Sequence, residues 1–167
     1  MQIGVESYWG VEETALTFRP DAVISIMDQA RLVPRLAVTP QNHFSIGFHD
    51  IEHPEQGKTE PSRDHIGQLI EFAARCQREG AERLLVHCMA GVPRSPAASF
   101  IIAIAVRGDD PVRAAHVLFE AAPFVDPNML MIKHADMLGG HSGEAVRAIQ
   151  RARSLKPRAR QQHFFCI

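Results

Sequence analysis

An apolar run that leads into a thiol, then a short loop and a second apolar run, constrains the fold of this chain most. Residues 84–95 read LLVHCMAGVPRS, and residues 96–106 are almost wholly apolar and contain no glycine. This order predicts a buried strand, a tight loop and a buried helix. Such a loop holds backbone N–H groups at a helix N-terminus, where anions bind. Because it also carries Cys88 and Arg94, the pattern predicts a site that holds an oxyanion and attacks it.

The spacing within this loop is far more specific than a cysteine followed by an arginine. The chain has 15 arginines and 3 cysteines, so one Cys-x5-Arg match has odds of about one in four from composition alone. Requiring a histidine before the cysteine, a glycine three residues after it and a serine after the arginine lowers the odds to about one in ten thousand. The alternative is a buried structural cysteine that has an arginine nearby by coincidence.

The segment His87-Cys88-x-x-Gly91-x-x-Arg94-Ser95 resembles the signature loop of the protein tyrosine phosphatase superfamily, and its compact, dual-specificity-like bacterial members fit best. Two further segments, counted within residues 20–140, resemble this branch. Residues 121–130, AAPFVDPNML, resemble its Pro-Asn segment, and residues 48–51, FHDI, resemble an upstream Asp-Ile segment. The resemblance implies a cysteine-dependent phosphomonoesterase that forms a phosphocysteine intermediate.

Three side chains of the loop are expected to carry the chemistry. Cys88 is the expected nucleophile, because thiols at helix N-termini beside cations have pKa values of about 3.5 to 7.5 instead of about 8.5. Arg94 is expected to grip two phosphate oxygens through its planar guanidinium group. Ser95 is expected to donate a hydrogen bond to the Cys88 sulfur, and helix capping is its alternative role.

The other residues of the loop are expected to bind the substrate. His87 is expected to brace the loop from behind, because a thiolate that is already formed needs no general base. Backbone N–H groups supply the remaining donors to phosphate, and the residues concerned are Met89, Ala90, Gly91 and Val92. Pro93 has no N–H, so the loop has one donor fewer there, which means either weaker phosphate binding or a stiffer loop. Asn128 is expected to cap a helix, and the resemblance adds a role near the pocket.

The general acid should be a carboxylate on a loop that reaches over the pocket, where it protonates the leaving oxygen and later deprotonates water. Asp50 is the expected residue, because it follows a predicted strand at 43–48 and opens the next loop. Glu52 lies on the same loop, and Asp28 ends another predicted strand. Asp64 lies in the first turn of a predicted helix, where a carboxylate complements the helix dipole. These three remain alternatives.

Two other interpretations concern metals and redox chemistry. Residues 49–53 hold two histidines four apart with carboxylates, which is a possible zinc pattern, but that geometry normally needs a helix. Pro54 and the surrounding composition predict a loop instead, so we expect no metal and no other cofactor. Cys76 could form a reversible disulfide with an oxidised Cys88, and its alternative is a buried apolar thiol.

Composition limits the class of protein further. The 167 residues predict one domain with a substantial core, and the net charge of −1 gives no indication of nucleic-acid or membrane binding. The N-terminus lacks the pattern of a signal peptide. Three scattered cysteines favour a reducing, cytoplasmic setting over a disulfide framework. The expected partner is a phosphorylated protein or a small aryl phosphate, and the sequence does not indicate an oligomeric state.

The pattern of apolar residues predicts an α/β fold with a central, mostly parallel sheet of four to five strands and helices on both faces. We expect a single domain over 1–154 and a basic, partly disordered tail over 155–167. Predicted strands are 22–27, 43–48 and the run into Cys88. Predicted helices are 61–79, 95–106, 110–121, 128–138 and 144–153, with Pro61 at the first helical position.

Two rival functions use the same kind of loop. Arsenate reduction or sulfur transfer would need resolving cysteines nearby, and only Cys76 is available. A non-catalytic phosphopeptide-binding module would generally lack the cysteine or the arginine, and both are present here. Phosphoinositide substrates are disfavoured because the loop residues between Cys88 and Arg94 are uncharged.

Overall fold

The computed structural model describes residues 1–29, 34, 36–155 and 164–167. Within these ranges it contains five strands and six α-helices around one sheet. The strands are β1 (Gln2–Ser7), β2 (Ala22–Met27), β3 (His43–Gly47), β4 (Arg83–Cys88) and β5 (Phe165–Cys166). The helices are α1 (Val11–Phe18), α2 (Arg63–Arg78), α3 (Arg94–Ala105), α4 (Pro111–Ala121), α5 (Met129–Gly139) and α6 (Glu144–Leu155).

The sheet has the order β3-β2-β4-β1-β5, and every pair is parallel except β1 with β5. Strand β4 therefore lies at the centre. Its last residue, Cys88, is the register partner of Ser7 on β1 and of Ile26 on β2. Ligands bind outside the carboxyl ends of parallel strands, so this topology brings three strand ends to the edge where Cys88 lies.

Helices cover both faces of the sheet. Successive strand residues point to opposite faces, so each buried strand contributes to two apolar layers. The larger layer joins one sheet face to helices α2 to α6, and the smaller one packs Val11, Val23 and Leu85 against α1 and neighbouring apolar residues. The predicted α/β fold with a mostly parallel sheet of four to five strands is confirmed. Among the described residues, no helix is long and apolar enough to cross a membrane.

The predicted helices all form, with ends that shift by one or two residues. Ser62 caps α2 by accepting a hydrogen bond from the backbone N–H of His65, and the His65 side chain accepts one from the Ser62 N–H. This reciprocal cap places Pro61 before the helix, so its predicted position as the first helical residue is wrong. Asp110 caps α4, with Pro111 as its first residue.

The first strand and the first helix carry no pattern that predicts them, and the end of the chain differs from its prediction. Gly4, Glu6 and Ser7 interrupt the apolar pattern of β1, although the whole strand after Gln2 is buried. The tail prediction is wrong for residues 164–167, because β5 pairs with β1 and Phe165 is buried. Residues 156–163, which were part of the same prediction, lie outside the described residues.

We expect the replacement Phe165→Ala to lower the free energy of unfolding by about 3 kcal/mol, the usual cost of truncating a buried phenylalanine. Phe165 is 6% exposed, and its ring lies edge-on to Phe124 at 5.9 Å between centroids. Chemical denaturation measures the change. Leu155→Ala is the matched control, because Leu155 is 77% exposed and should change stability by less than about 0.5 kcal/mol. Equal effects of the two replacements would mean that the chain end does not pack on the sheet.

Candidate active site

The loop that links β4 to α3, called here the Cys88–Ser95 loop, curls around the sulfur of Cys88. The Cys88 Sγ atom accepts a hydrogen bond from the backbone N–H of Gly91 and another from the Ser95 hydroxyl, each at 3.2 Å. The Ser95 hydroxyl also lies 3.4 Å from the carbonyl oxygen of Glu6. Both donors favour a negative charge on the sulfur, because a thiolate accepts hydrogen bonds better than a thiol.

Three carbonyl oxygens of the Cys88–Ser95 loop accept hydrogen bonds from segments outside it. The pairs are Tyr8 N–H with Met89 O at 3.2 Å, Asp126 N–H with Val92 O at 3.1 Å, and Asn128 N–H with Pro93 O at 3.2 Å. These bonds turn the negative ends of the peptide groups away from the centre of the loop. An anion in the loop would therefore meet N–H groups and a helix N-terminus.

Gly91 allows the loop to turn against the end of β1. Its φ angle is +71°, a left-handed value that side chains disfavour. A Cβ atom built at this position would lie 3.0 Å from the backbone nitrogen of Ser7. Both observations require glycine here, since either a side chain or a shift of the loop would disturb the contact with β1.

Arg94 is fixed by an ion pair on the β2 side of the loop. It is 4% exposed, and its Nη1 atom donates to Asp28 Oδ1 at 2.8 Å and to the Phe48 carbonyl oxygen at 2.7 Å. Its buried Nε atom has no hydrogen-bond partner among the described residues. Asp28, an alternative general acid in the sequence analysis, is thus the partner of Arg94 in this structure.

Pro93 precedes the first residue of α3 and occupies its N-cap position. The N–H of an N-cap residue takes no part in the hydrogen bonds of a helix, so the missing donor leaves α3 intact. The Pro93 carbonyl oxygen accepts from Ala97 inside the helix and from Asn128 outside it. The proline therefore stands at the junction where the Cys88–Ser95 loop meets the segment before α5.

Asp50 and Asn128 lie together beside the loop. The exposed Asp50 accepts a hydrogen bond from the Asn128 side chain at 2.9 Å. The same amide nitrogen donates to the Ile51 carbonyl oxygen at 3.3 Å, and Asn128 Oδ1 caps α5 by accepting from the Met131 N–H. Asn128 is 2% exposed, so it is a buried link between α5 and the loop that carries Asp50.

The other two candidate acids have different partners. Glu52 Oε1 accepts a hydrogen bond from the backbone N–H of Met129 at 2.6 Å, which ties it to the N-terminus of α5. Asp64 is exposed in the first turn of α2, where it complements the helix dipole. On the 50–52 loop, Glu52 is therefore held by a backbone N–H group of α5, whereas Asp50 bonds the Asn128 side chain.

His87 lies under the loop and belongs to a chain of hydrogen bonds. Its Nε2 atom is 2.6 Å from the Ser25 hydroxyl, which is 2.7 Å from His43 Nε2. Burial, together with a smaller effect of the nearby His43, lowers the pKa of His87 to about 4, against an opposing effect of the Cys88 backbone. Burial also lowers the pKa of His43. His87 is therefore neutral at physiological pH, in keeping with a bracing position and not a charged one.

The residues of the metal and redox alternatives lie elsewhere or have protein partners. His49 Nδ1 accepts a hydrogen bond from Thr59 N–H, and no cluster of three metal-ligating side chains occurs in the described part of the chain. Cys76 lies in the last turn of α2, close to the start of β4. Cys88 is at the other end of β4, and the six residues of this strand span about 16 Å. A disulfide requires Cα atoms within about 7 Å, so these two thiols cannot pair in this structure.

Four residues that contact the loop or belong to the hydrogen-bond chain beneath it were not identified from the sequence. The buried Glu6 carboxylate accepts from the Ser7 N–H and from the Ser7 and Thr14 hydroxyl groups, so it ties β1 to α1. The others are Tyr8, Ser25 and His43. Only their positions in the sheet register bring them to the loop, and no local sequence pattern marks them.

Comparison of whole folds places this architecture among known phosphatases. It is similar to the PTP-2 phosphatase of Cydia pomonella, with a TM-score of 0.64 and 18% identity over 81% of this chain and 84% of that one. It is also similar to DUSP15, with a TM-score of 0.60 and 14% identity over 94% of each chain. The chain therefore has the fold of the compact dual-specificity and tyrosine phosphatases.

The same fold occurs in a protein described by its likeness to phosphatases. The human tyrosine phosphatase-like serine/threonine/tyrosine-interacting protein has a TM-score of 0.61 and 16% identity, over 84% of this chain and 92% of that one. No family model matches this chain, and no curated protein matches it in sequence. The fold is thus shared at low identity, and catalysis has to be inferred from the side chains of the site.

The replacement Gly91→Ala should weaken the binding of an inorganic oxyanion such as tungstate by about tenfold or more, because the added Cβ pushes the loop off Ser7. Titration calorimetry measures the binding. Gly80→Ala is the matched control: its φ is also left-handed, at +88°, but nothing lies within 4 Å of its Cβ position. Both variants should lose about 1 to 2 kcal/mol of stability. Unchanged tungstate affinity in Gly91→Ala would contradict the role given to this glycine.

Proposed function

We propose that the protein is a metal-independent phosphomonoesterase that acts on phosphotyrosine-like aryl phosphates through a phosphocysteine intermediate. The observation that carries this proposal is the position of Cys88 Sγ. It accepts two hydrogen bonds inside a loop at a helix N-terminus, beside a buried arginine. A sulfur that accepts hydrogen bonds next to donors for an oxyanion is the arrangement that nucleophilic attack on phosphorus requires.

In the first step the Cys88 sulfur attacks phosphorus, and a sulfur–phosphorus bond replaces the bond to the leaving oxygen. Asp50 gives its proton to that oxygen, so an alcohol or phenol departs. In the second step Asp50 removes a proton from water, and the water oxygen displaces the sulfur to release inorganic phosphate. The Ser95 hydroxyl, 3.2 Å from the sulfur, stabilises the thiolate that leaves. The second step restores the starting protonation of both residues.

Arg94 and the loop stabilise the charge on the transferred phosphoryl group. The ion pair with Asp28 and the bond to the Phe48 carbonyl both use Nη1. The guanidinium edge that includes Nε is therefore the part that we assign to phosphate oxygens. The N–H groups of the Cys88–Ser95 loop provide the other donors. Preorganised donors of this kind are usually the largest catalytic contribution in such reactions.

The residues around the site favour an aryl phosphate over a lipid headgroup. One protein of similar fold, PTPMT1, is known in complex with PI(5)P, at 14% identity and a TM-score of 0.57. A phosphoinositide carries several charges, and the loop residues Met89, Ala90 and Val92 offer no cation to them. We infer a reducing, cytoplasmic setting, because Cys76, Cys88 and Cys166 are all free thiols.

The two rival functions are less well supported by the geometry. Arsenate reduction needs a resolving thiol, and Cys76 lies near the end of β4 that is opposite to Cys88. A non-catalytic phosphopeptide-binding module needs neither a thiol with two hydrogen-bond donors nor a carboxylate held beside the loop. Both features are present, at Cys88 and at Asp50.

With EDTA present, the wild-type protein should hydrolyse an aryl phosphate, and Cys88→Ser should abolish turnover because a serine hydroxyl forms no anion near neutral pH. Cys88→Ser should still bind a phosphotyrosine peptide, which shows that its loop remains folded. Cys76→Ser is the matched control and should keep wild-type turnover. Turnover by Cys88→Ser above a few per cent of wild type would refute the mechanism. Peptide binding by a wild type without turnover would favour the binding module.

The role of Asp50 predicts a dependence on the leaving group. A general acid matters most when the leaving oxygen is basic. Asp50→Asn should therefore slow the hydrolysis of phenyl phosphate by about 100-fold or more and the hydrolysis of an activated aryl phosphate much less. The same variant should lose the alkaline limb of the pH–rate profile, because that limb reports deprotonation of the acid. Asn128→Ala should show the same selectivity in weaker form, since Asn128 holds Asp50.

Asp64→Asn is the matched control for this series, because Asp64 is an exposed carboxylate outside the 50–52 loop. It should leave the rate of hydrolysis of both substrates and the pH–rate profile unchanged. If Asp50→Asn slows both substrates equally while Asp64→Asn or Glu52→Gln shows the selective loss, the acid is that other residue. If none of these variants is selective, Asp28 is the remaining candidate.

A further inference from the structure

Three polar side chains from three strands form a continuous chain under the Cys88–Ser95 loop. His43 on β3, Ser25 on β2 and His87 on β4 are joined by contacts of 2.7 Å and 2.6 Å, both through the Ser25 hydroxyl. Ser25 and His87 are 0% exposed, whereas His43 is half-buried at the start of its strand. Burying such groups is costly unless they are hydrogen-bonded, so the two hydrogen bonds are needed to keep these side chains inside the protein.

The Ser25 hydroxyl has one proton for two contacts, so the chain has a direction. An unused hydroxyl proton would be costly to bury, so we assign it to one of the two contacts: either His43 donates to Ser25 and Ser25 donates to His87 Nε2, or both bonds run the other way. In the first direction the neutral His87 carries its proton on Nδ1. In the second it carries the proton on Nε2, and Nδ1 is a bare lone pair. The hydrogen bond at one ring nitrogen thus decides which tautomer the other nitrogen shows.

We propose that Ser25 and His43 are positioning residues for the nucleophile, because their chain fixes His87 as the tautomer with its proton on Nδ1. The proposal rests on the proposed role of Cys88, the residue that follows His87. The Nδ1–H tautomer directs the positive end of the ring dipole away from Ser25 and toward the loop backbone. A positive dipole end beside the Cys88 backbone favours a thiolate on that residue, and a lone pair there disfavours it.

The surroundings of His87 favour this direction of the chain. Its Nδ1 atom is buried and makes no full hydrogen bond with the described residues, but contact with the Cys88 backbone favours a proton on the ring. His43 is half-buried, unlike His87, so its outer nitrogen lies closer to solvent while Nε2 faces Ser25. The neutral tautomer of His43 that carries its proton on Nε2 donates to Ser25 in this arrangement.

The other titratable groups near His87 come from β1. Glu6 is its register partner, and the Glu6 carboxylate is held by Ser7 and Thr14. The Tyr8 ring lies 6.3 Å from the His87 ring, centroid to centroid. At the sulfur itself, the Ser95 hydroxyl of α3 donates a hydrogen bond. None of these groups bonds to Ser25 in the contacts described, so variants of Ser25 and His43 test the chain itself.

The experiment measures alkylation of Cys88 by iodoacetamide against pH, resolved by mass spectrometry of the peptide that contains Cys88. Ser25→Ala and His43→Leu should move the midpoint of this curve upward by about one pH unit, because both break the chain. Ser25→Thr and His43→Gln keep a hydroxyl and a donor at the same places, so both should restore the midpoint close to wild type. Ser99→Ala is the matched control for removing a buried hydroxyl, which here bonds Pro96 O.

Several outcomes would overturn the inference. If Ser25→Ala lowers the melting temperature as Ser99→Ala does but leaves the alkylation midpoint unchanged, the hydrogen bonds from His43 to His87 have only a structural role. If His43→Leu alone leaves the alkylation midpoint unchanged, His43 does not help to position the nucleophile. Either result can occur while wild-type turnover is intact, so failure of the inference is separable from failure of the proposed function.

A second measurement reads the tautomer without reference to activity. In protein labelled with ¹⁵N-histidine, the imidazole nitrogen shifts of His87 distinguish the two neutral tautomers, and loss of signals in His87→Asn assigns them. Wild type should show the Nδ1–H form near pH 7, and Ser25→Ala should lose this preference. An Nε2–H form in the wild type would refute the inference, even if Cys88 proves unreactive.

Discussion

The orientation of the peptide groups in the Cys88–Ser95 loop is the constraint on which the rest of the site depends. A loop of this size binds an anion only if its carbonyl groups point outward, and each then needs a donor elsewhere. Tyr8, Asp126 and Asn128 supply such donors from two distant parts of the chain. The sheet order and the segment before α5 are therefore part of the binding site, although few of their side chains face it.

Each wall of the site positions one chemical group. On the β2 side, Asp28 and the Phe48 carbonyl hold one end of Arg94, so the guanidinium enters the site already oriented. On the α5 side, Asn128 joins the loop junction at Pro93 to the carboxylate of Asp50. A single buried residue, through its backbone N–H and its side-chain amide, thus links the Cys88–Ser95 loop to the proposed acid. Rigid placement of this kind reduces the entropy cost of reaching the transition state.

The sequence could predict the features that depend on local pattern and spacing. The strand, loop and helix around Cys88 follow from apolar periodicity and from the positions of Gly91 and Arg94. Strand β1 could not be recognised, because a glycine and three polar residues occupy it, and the buried Glu6 is satisfied by its bonds to Ser7 and Thr14. Strand β5 and the chain from His43 to His87 depend on sheet register, which no local pattern encodes.

The most direct test of the account is to identify the residue that carries the phosphoryl group during turnover. Quenching the enzyme with a denaturant at mildly alkaline pH, within milliseconds of mixing with an activated aryl phosphate, preserves acid-labile sulfur–phosphorus and nitrogen–phosphorus bonds. Peptide mass spectrometry then locates the phosphoryl group. The account predicts one phosphoryl group on Cys88, present during turnover and absent once substrate is exhausted. A phosphoryl group on a histidine or serine, or turnover with no modified peptide under conditions that show a kinetic burst, would contradict it.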